Sequence, residues 1–177
     1  MISEQAMLAQ LQASLSPHRL THSIGVMETA VRLAGVFSAD AARCRLAGLL
    51  HDCAKGLGRE EMLELIARQG IILFAGEDSY PGLLHAPAGA ALATEKYGVS
   101  DEEVLSAIRK HTVGAPEMSL LDDIIFVSDF IEPNRESFEG LEEVRKAAFE
   151  DLGKAKALCR DHTARYCKQR GLPVFSF

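Results

Sequence analysis

The chain has 177 residues, of which 47% are hydrophobic and 25% charged, and its formal net charge is −6 at pH 7. This length is enough for one domain with a sizeable core, and the acidic balance argues against a broad basic surface for nucleic acid. No apolar run approaches the length of a membrane span, and the first residues lack the pattern of a secretory signal. The sequence therefore predicts a cytoplasmic protein that uses neither nucleic acid nor membrane as a partner.

Helix signals dominate the first seventy residues. Ser16 and Pro17 are typical of a helix start, with serine as the N-cap and proline at the first helical position. The apolar spacing of the following segment predicts one long helix. Ser38 is predicted to cap the next helix, ADAARCRLAGLLHDCA, and Gly70 is predicted to end a third, GREEMLELIARQG.

One loop interrupts the helical pattern before it resumes. Residues 71–82, IILFAGEDSYPG, are predicted as a loop, and loops beside a site often carry ligand contacts. The segment LLHAPAGAALATEKYG predicts a helix that ends at Gly98. The segment SDEEVLSAIRKHT predicts another, which begins with a capping box of Ser100 and Glu103.

The last third of the chain is also predicted to be helical. Ser119 precedes LLDDIIFVSDFIEP, a helix that Pro133 ends, and two more helices fill about residues 140–170. Strand signals are almost absent. We therefore predict an all-α protein of one domain over residues 1–177, with its core at about residues 17–135.

Metal-capable side chains recur near apolar faces or helix ends on five predicted helices. They are His22, the adjacent His51 and Asp52, His85, His111 and Asp129. A single such histidine is more often a satisfied half-buried residue, but the repetition on five helices favours one shared site. A mixed set of imidazoles and carboxylates suits iron, manganese or another borderline divalent ion, whereas structural zinc sites usually use cysteine.

The order of these residues resembles the HD-domain superfamily of metal-dependent phosphohydrolases. The segments HRLTHSIGV, GLLHDCAKG, LLHAPAGA and IRKHTVGAPEMSLLDDIIFVSDFIEPNR are similar to the YqeK family of bacterial symmetrical diadenosine tetraphosphate hydrolases, over residues 17–170. The resemblance implies a single HD-domain helical bundle. It also implies that diadenosine tetraphosphate is hydrolysed to two ADP by attack of a metal-bound water. The implied cofactor is one or two divalent ions, iron first, with manganese or cobalt as substitutes.

The resemblance also implies roles for the metal-capable residues. His22, His51, Asp52 and Asp129 are the implied metal ligands, and Asp52 would bridge if a second ion is present. His85 and His111 remain between two roles, as ligands of a second ion or as donors to substrate phosphate. The candidate catalytic residues are Asp52, His85 and His111.

Substrate phosphate requires cations and hydrogen-bond donors beside the metal ligands. Arg19 lies three residues before His22 and shares its helix face, and Lys55 and Arg135 also match positions of the family motifs. We predict that these three bind phosphate, together with the Thr112 hydroxyl. The imidazoles of His22, His85 and His111 are further candidates for substrate binding.

Other polar residues are predicted to lie outside the site. Arg109 and Lys110 are interpreted as solvated surface charges, His18 as peripheral and His162 as a surface residue. The four cysteines show no CxxC pair and no zinc-finger spacing, and are predicted to be reduced thiols. Cys53 is interpreted as a small buried hydrophobe rather than a nucleophile.

Two other functions remain open from the residues. One is another HD-domain phosphohydrolase acting on nucleoside mono- or triphosphates, and the other is a regulatory HD module that binds a nucleotide. Phe74 and Tyr80, in the predicted loop, either stack on the base of a second nucleoside or belong to the core. The predicted partners are a dinucleoside polyphosphate and its ADP product, and a homodimer remains open.

Overall fold

The computed structural model describes residues 1–172 and 174–175. Nine α-helices and one 3-10 helix form within these residues, and no strand is present among them. The helices are α1 Glu4–Ser14, α2 Pro17–Phe37, α3 Ala41–Leu50, α4 Arg59–Arg68, α5 His85–Glu95, α6 Glu102–Lys110, α7 Leu120–Ile131, α8 Leu141–Ala148 and α9 Leu152–Gln169. The predicted all-α fold is confirmed. The C-terminal segment LPVFSF includes Pro173, Ser176 and Phe177, which lie outside the described residues.

Two helix starts are placed as the sequence predicts. The Ser16 hydroxyl accepts a hydrogen bond from the Arg19 N–H, and Pro17 follows as the first residue of α2. Ser119 and Asp122 form a reciprocal capping box at the start of α7. The side-chain oxygens satisfy backbone donors that have no partner within the helix.

Two other starts were predicted wrongly, because an aspartate rather than the neighbouring serine caps the helix. Ser38 ends α2 in a left-handed conformation, at φ 56°, and Asp40 caps α3. Asp101, not Ser100, caps α6 and accepts hydrogen bonds from the N–H groups of the second and third helical residues. Serine and aspartate are similarly good caps, so the sequence alone does not decide between adjacent candidates.

The predicted metal-capable residues lie in or directly after five helices, α2, α3, α5, α6 and α7, and α7 lies in the middle of their packing. Helix α2 packs against α3 and α7, while α6 packs against α3, α5 and α7. Helix α7 is buried over most of its length, and its residues Ile124, Ile125 and Val127 are fully buried. Burial of these apolar side chains is the main stabilising term of such a bundle. The packing brings the C-terminal ends of α3, α6 and α7 together with the first turn of α5.

The predicted loop over residues 71–82 contains a short 3-10 helix at Glu77–Ser79 and is held by a buried ion pair. The two carboxylate oxygens of Glu77 accept hydrogen bonds from the Arg109 guanidinium at 2.6 and 2.8 Å. Glu77 is only 1% exposed and also accepts from the Phe74 N–H. The interpretation of Arg109 as a solvated charge is therefore wrong.

Lys110 is also paired with a carboxylate rather than solvated as the sequence predicts. Its ammonium lies 2.8 Å from a carboxylate oxygen of the fully buried Asp122. A buried carboxylate needs such a partner, and the pair links the end of α6 to the start of α7.

Among the residues that the structure describes, every helix is too short or too polar to span a membrane. That residues 1–177 form one domain remains a prediction.

Candidate metal centre

The six metal-capable side chains meet in one cluster between the five central helices. His22 lies in α2, His51 is the C-cap of α3, His85 begins α5, His111 is the C-cap of α6, and Asp129 lies in the last turn of α7. Asp52 follows directly after His51. His51, Asp52, His85 and His111 are all less than 5% exposed. The sequence thus identified the members of one spatial cluster.

Three of the histidines share one local geometry. In His51, His85 and His111 the Nδ1–H donates to the backbone carbonyl three residues earlier in the chain. The acceptors are Gly48 O at 2.8 Å, Gly82 O at 2.7 Å and Ile108 O at 2.7 Å. A proton on Nδ1 leaves the Nε2 lone pair of a neutral imidazole free. The backbone therefore holds these three rings in the tautomer that binds a metal through Nε2.

The free Nε2 atoms point at one another. The Nε2 atoms of His85 and His111 lie 3.0 Å apart, and both lie within 3.4 Å of Asp52 Oδ1. These three atoms are all acceptors, and acceptors this close repel unless a cation or a proton lies between them. The donor set therefore fits a bound divalent ion.

A second group of ligand atoms lies beside the first. The Nε2 atoms of His22 and His51 are 3.2 Å apart, and Asp129 Oδ1 lies 3.0 Å from His22 Nε2. Candidate ligand atoms of His22, His51 and Asp129 all lie within 4.8 Å of one another, and so do those of His51, Asp52 and His111. Two adjacent positions could thus each hold an ion.

Asp52 lies between both groups. Oδ1 lies 3.3 Å from His85 Nε2 and 3.8 Å from His51 Nε2, whereas Oδ2 lies 4.0 Å from His22 Nε2 and 3.6 Å from the Arg19 guanidinium. Burial alone would raise the pKa of Asp52, but the neighbouring imidazoles, His51 first, and the Lys55 ammonium together hold it well below its usual range. Asp52 is therefore an ionised carboxylate that can contact two cations at once.

Burial also sets the protonation of two of the imidazoles. Desolvation lowers the pKa of His51 to about 4, and it holds the pKa of His85 well below its usual range. Both rings are therefore neutral near pH 7, which is the form that binds a metal.

His22 differs because carboxylates contact both of its nitrogens. Its Nδ1 lies 3.2 Å from Glu132 Oε1, and its Nε2 lies 3.0 Å from Asp129 Oδ1. Burial would lower the pKa of His22, but the hydrogen bonds and charges of Asp129 and Glu132 outweigh it and raise the pKa. Burial would likewise raise the pKa of Asp129, and the hydrogen bond to His22 instead lowers it.

Glu132 was missed by the sequence analysis. It is 1% exposed and also accepts hydrogen bonds from the N–H and side-chain amide of Asn134. A Cβ at Gly25 would collide with Glu132 Oε2, so the glycine in α2 makes room for this carboxylate. The available signal was spacing, because Glu132 follows Asp129 by three residues and so shares its helix face.

The three predicted phosphate-binding cations border the cluster. The Arg19 guanidinium lies 3.6 Å from Asp52 Oδ2, Lys55 Nζ lies 4.0 Å from Asp52 Oδ1, and the Arg135 guanidinium lies 3.7 Å from Asp129 Oδ1. Arg19 and Arg135 are 44% and 38% exposed at the side chain, so both also reach solvent. Burial lowers the pKa of Lys55. An anion above the cluster would meet all three cations.

Thr112 lies at the same opening. Its hydroxyl oxygen is 3.2 Å from His85 Nε2 and 3.1 Å from His111 Nε2. The cluster opens into a cavity of about 820 Å³ that His18, Thr112 and the three cations line. His18 is exposed at this rim, in agreement with its predicted peripheral place.

His162 is not the isolated surface residue that was predicted. Its ring centroid lies 5.5 Å from that of Phe138 and 6.1 Å from that of Phe130, and the three rings line the same cavity. An amphipathic helix does not reveal what its polar side meets, so the sequence of α9 did not show this packing. The ring cluster adds an aromatic wall beside the charged opening.

The two aromatic residues of the predicted loop, Phe74 and Tyr80, lie in different places. The Arg109 guanidinium carbon lies 4.2 Å from the centroid of the Phe74 ring, and Phe74 lines neither the cluster nor its cavity. Tyr80 lines a second cavity that adjoins the first.

Cys53 is 1% exposed, and burial raises its pKa, so it packs as a small hydrophobe as predicted.

Comparisons with known proteins agree with this arrangement. The HD domain family profile matches residues 19–134. A "Bis(5'-nucleosyl)-tetraphosphatase, symmetrical" of Bacillus subtilis (strain 168) is 42% identical over 174 residues, which cover 98% of this chain and 92% of the relative. A protein of the same name from Halalkalibacterium halodurans is 44% identical over 171 residues, 95% of this chain and 89% of the relative.

A solved structure gives the same result for the fold. It is a protein from Clostridium acetobutylicum, described as a predicted HD superfamily hydrolase involved in NAD metabolism. Its TM-score to this chain is 0.93 at 44% sequence identity, and the match covers 98% of this chain and 91% of that one. The likeness therefore extends over the C-terminal helices as well as the family segment.

Proposed function

Because the chain belongs to the HD-domain superfamily and, within it, to the symmetrical bis(5'-nucleosyl)-tetraphosphatase family, we propose that it hydrolyses diadenosine tetraphosphate to two ADP. The observation that carries this proposal is the set of four imidazoles whose Nε2 atoms converge on Asp52 and Asp129. A cluster of this kind beside exposed cations suits metal-dependent attack on a phosphoanhydride.

His22, His51, Asp52 and Asp129 would hold a divalent ion, which we propose to be iron, with manganese or cobalt as substitutes. Such an ion supplies a Lewis acid for phosphate oxygens and a nucleophile at neutral pH. Nitrogen and carboxylate ligands together suit these metals. Asp52, whose two oxygens face both ligand groups, would bridge a second ion.

We assign His85 and His111 to that second position. Both rings carry their proton on Nδ1, so their Nε2 atoms accept rather than donate hydrogen bonds. Donation to a phosphate oxygen would require a change of tautomer and the loss of a backbone hydrogen bond. Thr112 can donate without this cost, because its hydroxyl rotates freely.

The cations would bind and orient the phosphates. Arg19 and Arg135 reach solvent beside Asp52 and Asp129 respectively, and Lys55 lies beside Asp52. Charge on the bridging oxygen increases as the bond between the two middle phosphates breaks, and fixed cations stabilise that charge. The phosphate chain would thereby be held across the metal centre.

The test is product analysis. The purified protein is incubated with diadenosine tetraphosphate and Fe²⁺, Mn²⁺ or Co²⁺, and the nucleotides are separated by ion exchange. ADP as the sole product is expected. ATP with AMP, or turnover of nucleoside mono- or triphosphates alone, would contradict the proposal, as would the absence of product with every ion.

A further inference from the structure

Symmetrical hydrolysis places a geometric demand on the site. The bond that breaks lies between the two middle phosphates, so each half of the substrate is an ADP unit. When that bond lies at the metal centre, the two nucleosides must extend from it in different directions. A complete site therefore needs two nucleoside-binding regions, whereas a mononucleotide hydrolase needs one.

The cluster opens into one cavity, and a second cavity adjoins it. The first cavity, of about 820 Å³, is lined by all the metal-capable side chains except His51 and by the ring cluster of Phe130, Phe138 and His162. The second cavity, of about 560 Å³, extends below the loop that carries Tyr80 and along α9. Both volumes fall within the range of about 300–1,000 Å³ typical of small-molecule sites.

The wall between the two cavities carries phosphate-binding groups. Six residues line both cavities: Lys55, Gly82, Thr112, Phe126, Thr163 and Tyr166. Lys55 Nζ lies 4.0 Å from Asp52 Oδ1, and the Thr112 hydroxyl lies 3.2 Å from His85 Nε2. A polyphosphate that passes from one cavity to the other would therefore cross the metal centre between a cation and a hydroxyl.

The second cavity has the lining that a nucleoside needs. Tyr80, Leu83 and Val113 supply aromatic and apolar surface, and Tyr166 is 50% exposed at the boundary of the two cavities. No carboxylate is present among the described residues that line it. Aromatic side chains stack on nucleobases of any type, since every base has a π-face.

We propose that the second cavity binds the second nucleoside of the dinucleoside tetraphosphate, with Tyr80 as its base-contacting residue. This inference rests on the proposed function and extends it, because it explains why the substrate is a dinucleotide. The first cavity then takes the other nucleoside, against the ring cluster. Phe74, which lies under Arg109 and outside both cavities, has no part in base binding.

Direct binding tests this assignment without turnover. The first probe is diadenosine tetraphosphate with a methylene group in place of the central bridging oxygen, and the second is adenosine 5'-tetraphosphate, which lacks one nucleoside. Calorimetry measures the affinity for each probe, with the metal-loaded wild-type protein and with two metal-loaded variants, Tyr80→Ala and Ala164→Trp. Ala164 lines the second cavity from α9, so tryptophan there would fill it.

We expect each variant to bind the dinucleotide analogue about 10-fold more weakly than the wild-type protein does, since base stacking is worth about that much. The affinity for adenosine tetraphosphate should change less than about twofold, because its single base can use the first cavity. Lys168→Trp, an exposed position on α9 that lines neither cavity, should leave both affinities unchanged.

Two results would overturn the assignment. An equal loss of affinity for both probes would mean that the variants disturb phosphate binding. Unchanged affinity for both probes would place the second nucleoside elsewhere. These results are distinct from failure of the proposed function, in which the wild-type protein forms no ADP from diadenosine tetraphosphate.

Discussion

Oε1 of Glu132 lies 3.2 Å from Nδ1 of His22, so a carboxylate at the end of α7 fixes the orientation of a ring in α2. The other three cluster histidines use backbone carbonyls for the same purpose. His22 lies inside α2 rather than at its end, so the nearby carbonyls are already paired within the helix. A side chain from another helix must therefore take that role.

Replacing Glu132 by glutamine should weaken metal binding while the fold is retained. Loss of such an orienting partner typically costs about 10–100-fold in metal affinity or activity, and we expect a value near the lower end because the amide can still accept from Nδ1–H. The loss of affinity is measured as the metal content of the variant after dialysis against a fixed free Mn²⁺ concentration. Glu150→Gln, at an exposed position, is the control, and equal metal content in the two variants would contradict the role.

Asp52→Asn should abolish turnover and preserve helicity. Asparagine keeps the shape but removes the charge that both ligand groups face. Because Asp52 is a proposed ligand, the loss should exceed the roughly 100-fold upper value for outer partners. Initial rates of ADP formation and the far-ultraviolet circular dichroism spectrum measure the two parts, and an active variant would refute the bridging role.

Metal removal should lower both activity and thermal stability. Without a cation, the Nε2 atoms of His85 and His111 and the Asp52 carboxylate lie close together as buried acceptors. A ligand present at 100 times its dissociation constant stabilises a protein by about 2.7 kcal/mol, which for this chain length raises Tm by about 5–10 °C. Calorimetric scans of chelated and Mn²⁺-reloaded protein should show this shift, and identical Tm values would exclude a bound metal.

Metal affinity should rise with pH through the titration of His22. Its pKa is raised, and both of its nitrogens contact carboxylates, so at a pH below that pKa the ring of the metal-free protein carries a proton at Nε2 that a metal must displace. Below the pKa that displacement weakens binding, by up to about tenfold per pH unit. Calorimetry of Mn²⁺ binding in buffers of different ionisation enthalpy should detect the released proton, and a pH-independent affinity would show that none is displaced.

Arg109→Gln should destabilise the fold more than loss of an exposed pair does. It leaves Glu77, which is 1% exposed, without its cation. Removal of one partner of a buried pair costs about 3–5 kcal/mol, whereas Arg68→Gln at the exposed Arg68–Glu95 pair should cost less than about 1 kcal/mol. Urea unfolding measures the free energy of unfolding of the two variants and of the wild-type protein. The double variant Glu77→Gln/Arg109→Gln should recover part of the loss, and strictly additive losses would show that the pair is not coupled.

Local signals predicted most of the helices and the members of the cluster. The caps at Ser16 and Ser119 and the histidines at helix ends are properties of short segments, which a sequence displays directly. Glu132 and His162 depend on which helices meet, because Glu132 acts on a ring 110 residues away and His162 packs on two phenylalanines of other segments. Such long-range relations leave no periodic pattern in one chain.

The same limit explains the errors at Arg109 and Lys110. Each lies in the last turn of α6, where cations are usual, and composition gave no sign of the carboxylates that approach from elsewhere. Glu77 comes from a loop and Asp122 from the first turn of α7. Only the packed structure shows that both charges are used to fasten neighbouring segments.

The ligands are spread from His22 to Asp129, and no two of the four cluster histidines belong to the same helix. During synthesis on the ribosome, the centre cannot assemble until α7 has left the exit tunnel and packed against α2. A nascent or truncated chain that ends before Asp129 would offer only scattered imidazoles. Stoichiometric metal content in a purified preparation would consequently report on the fraction of complete, folded molecules.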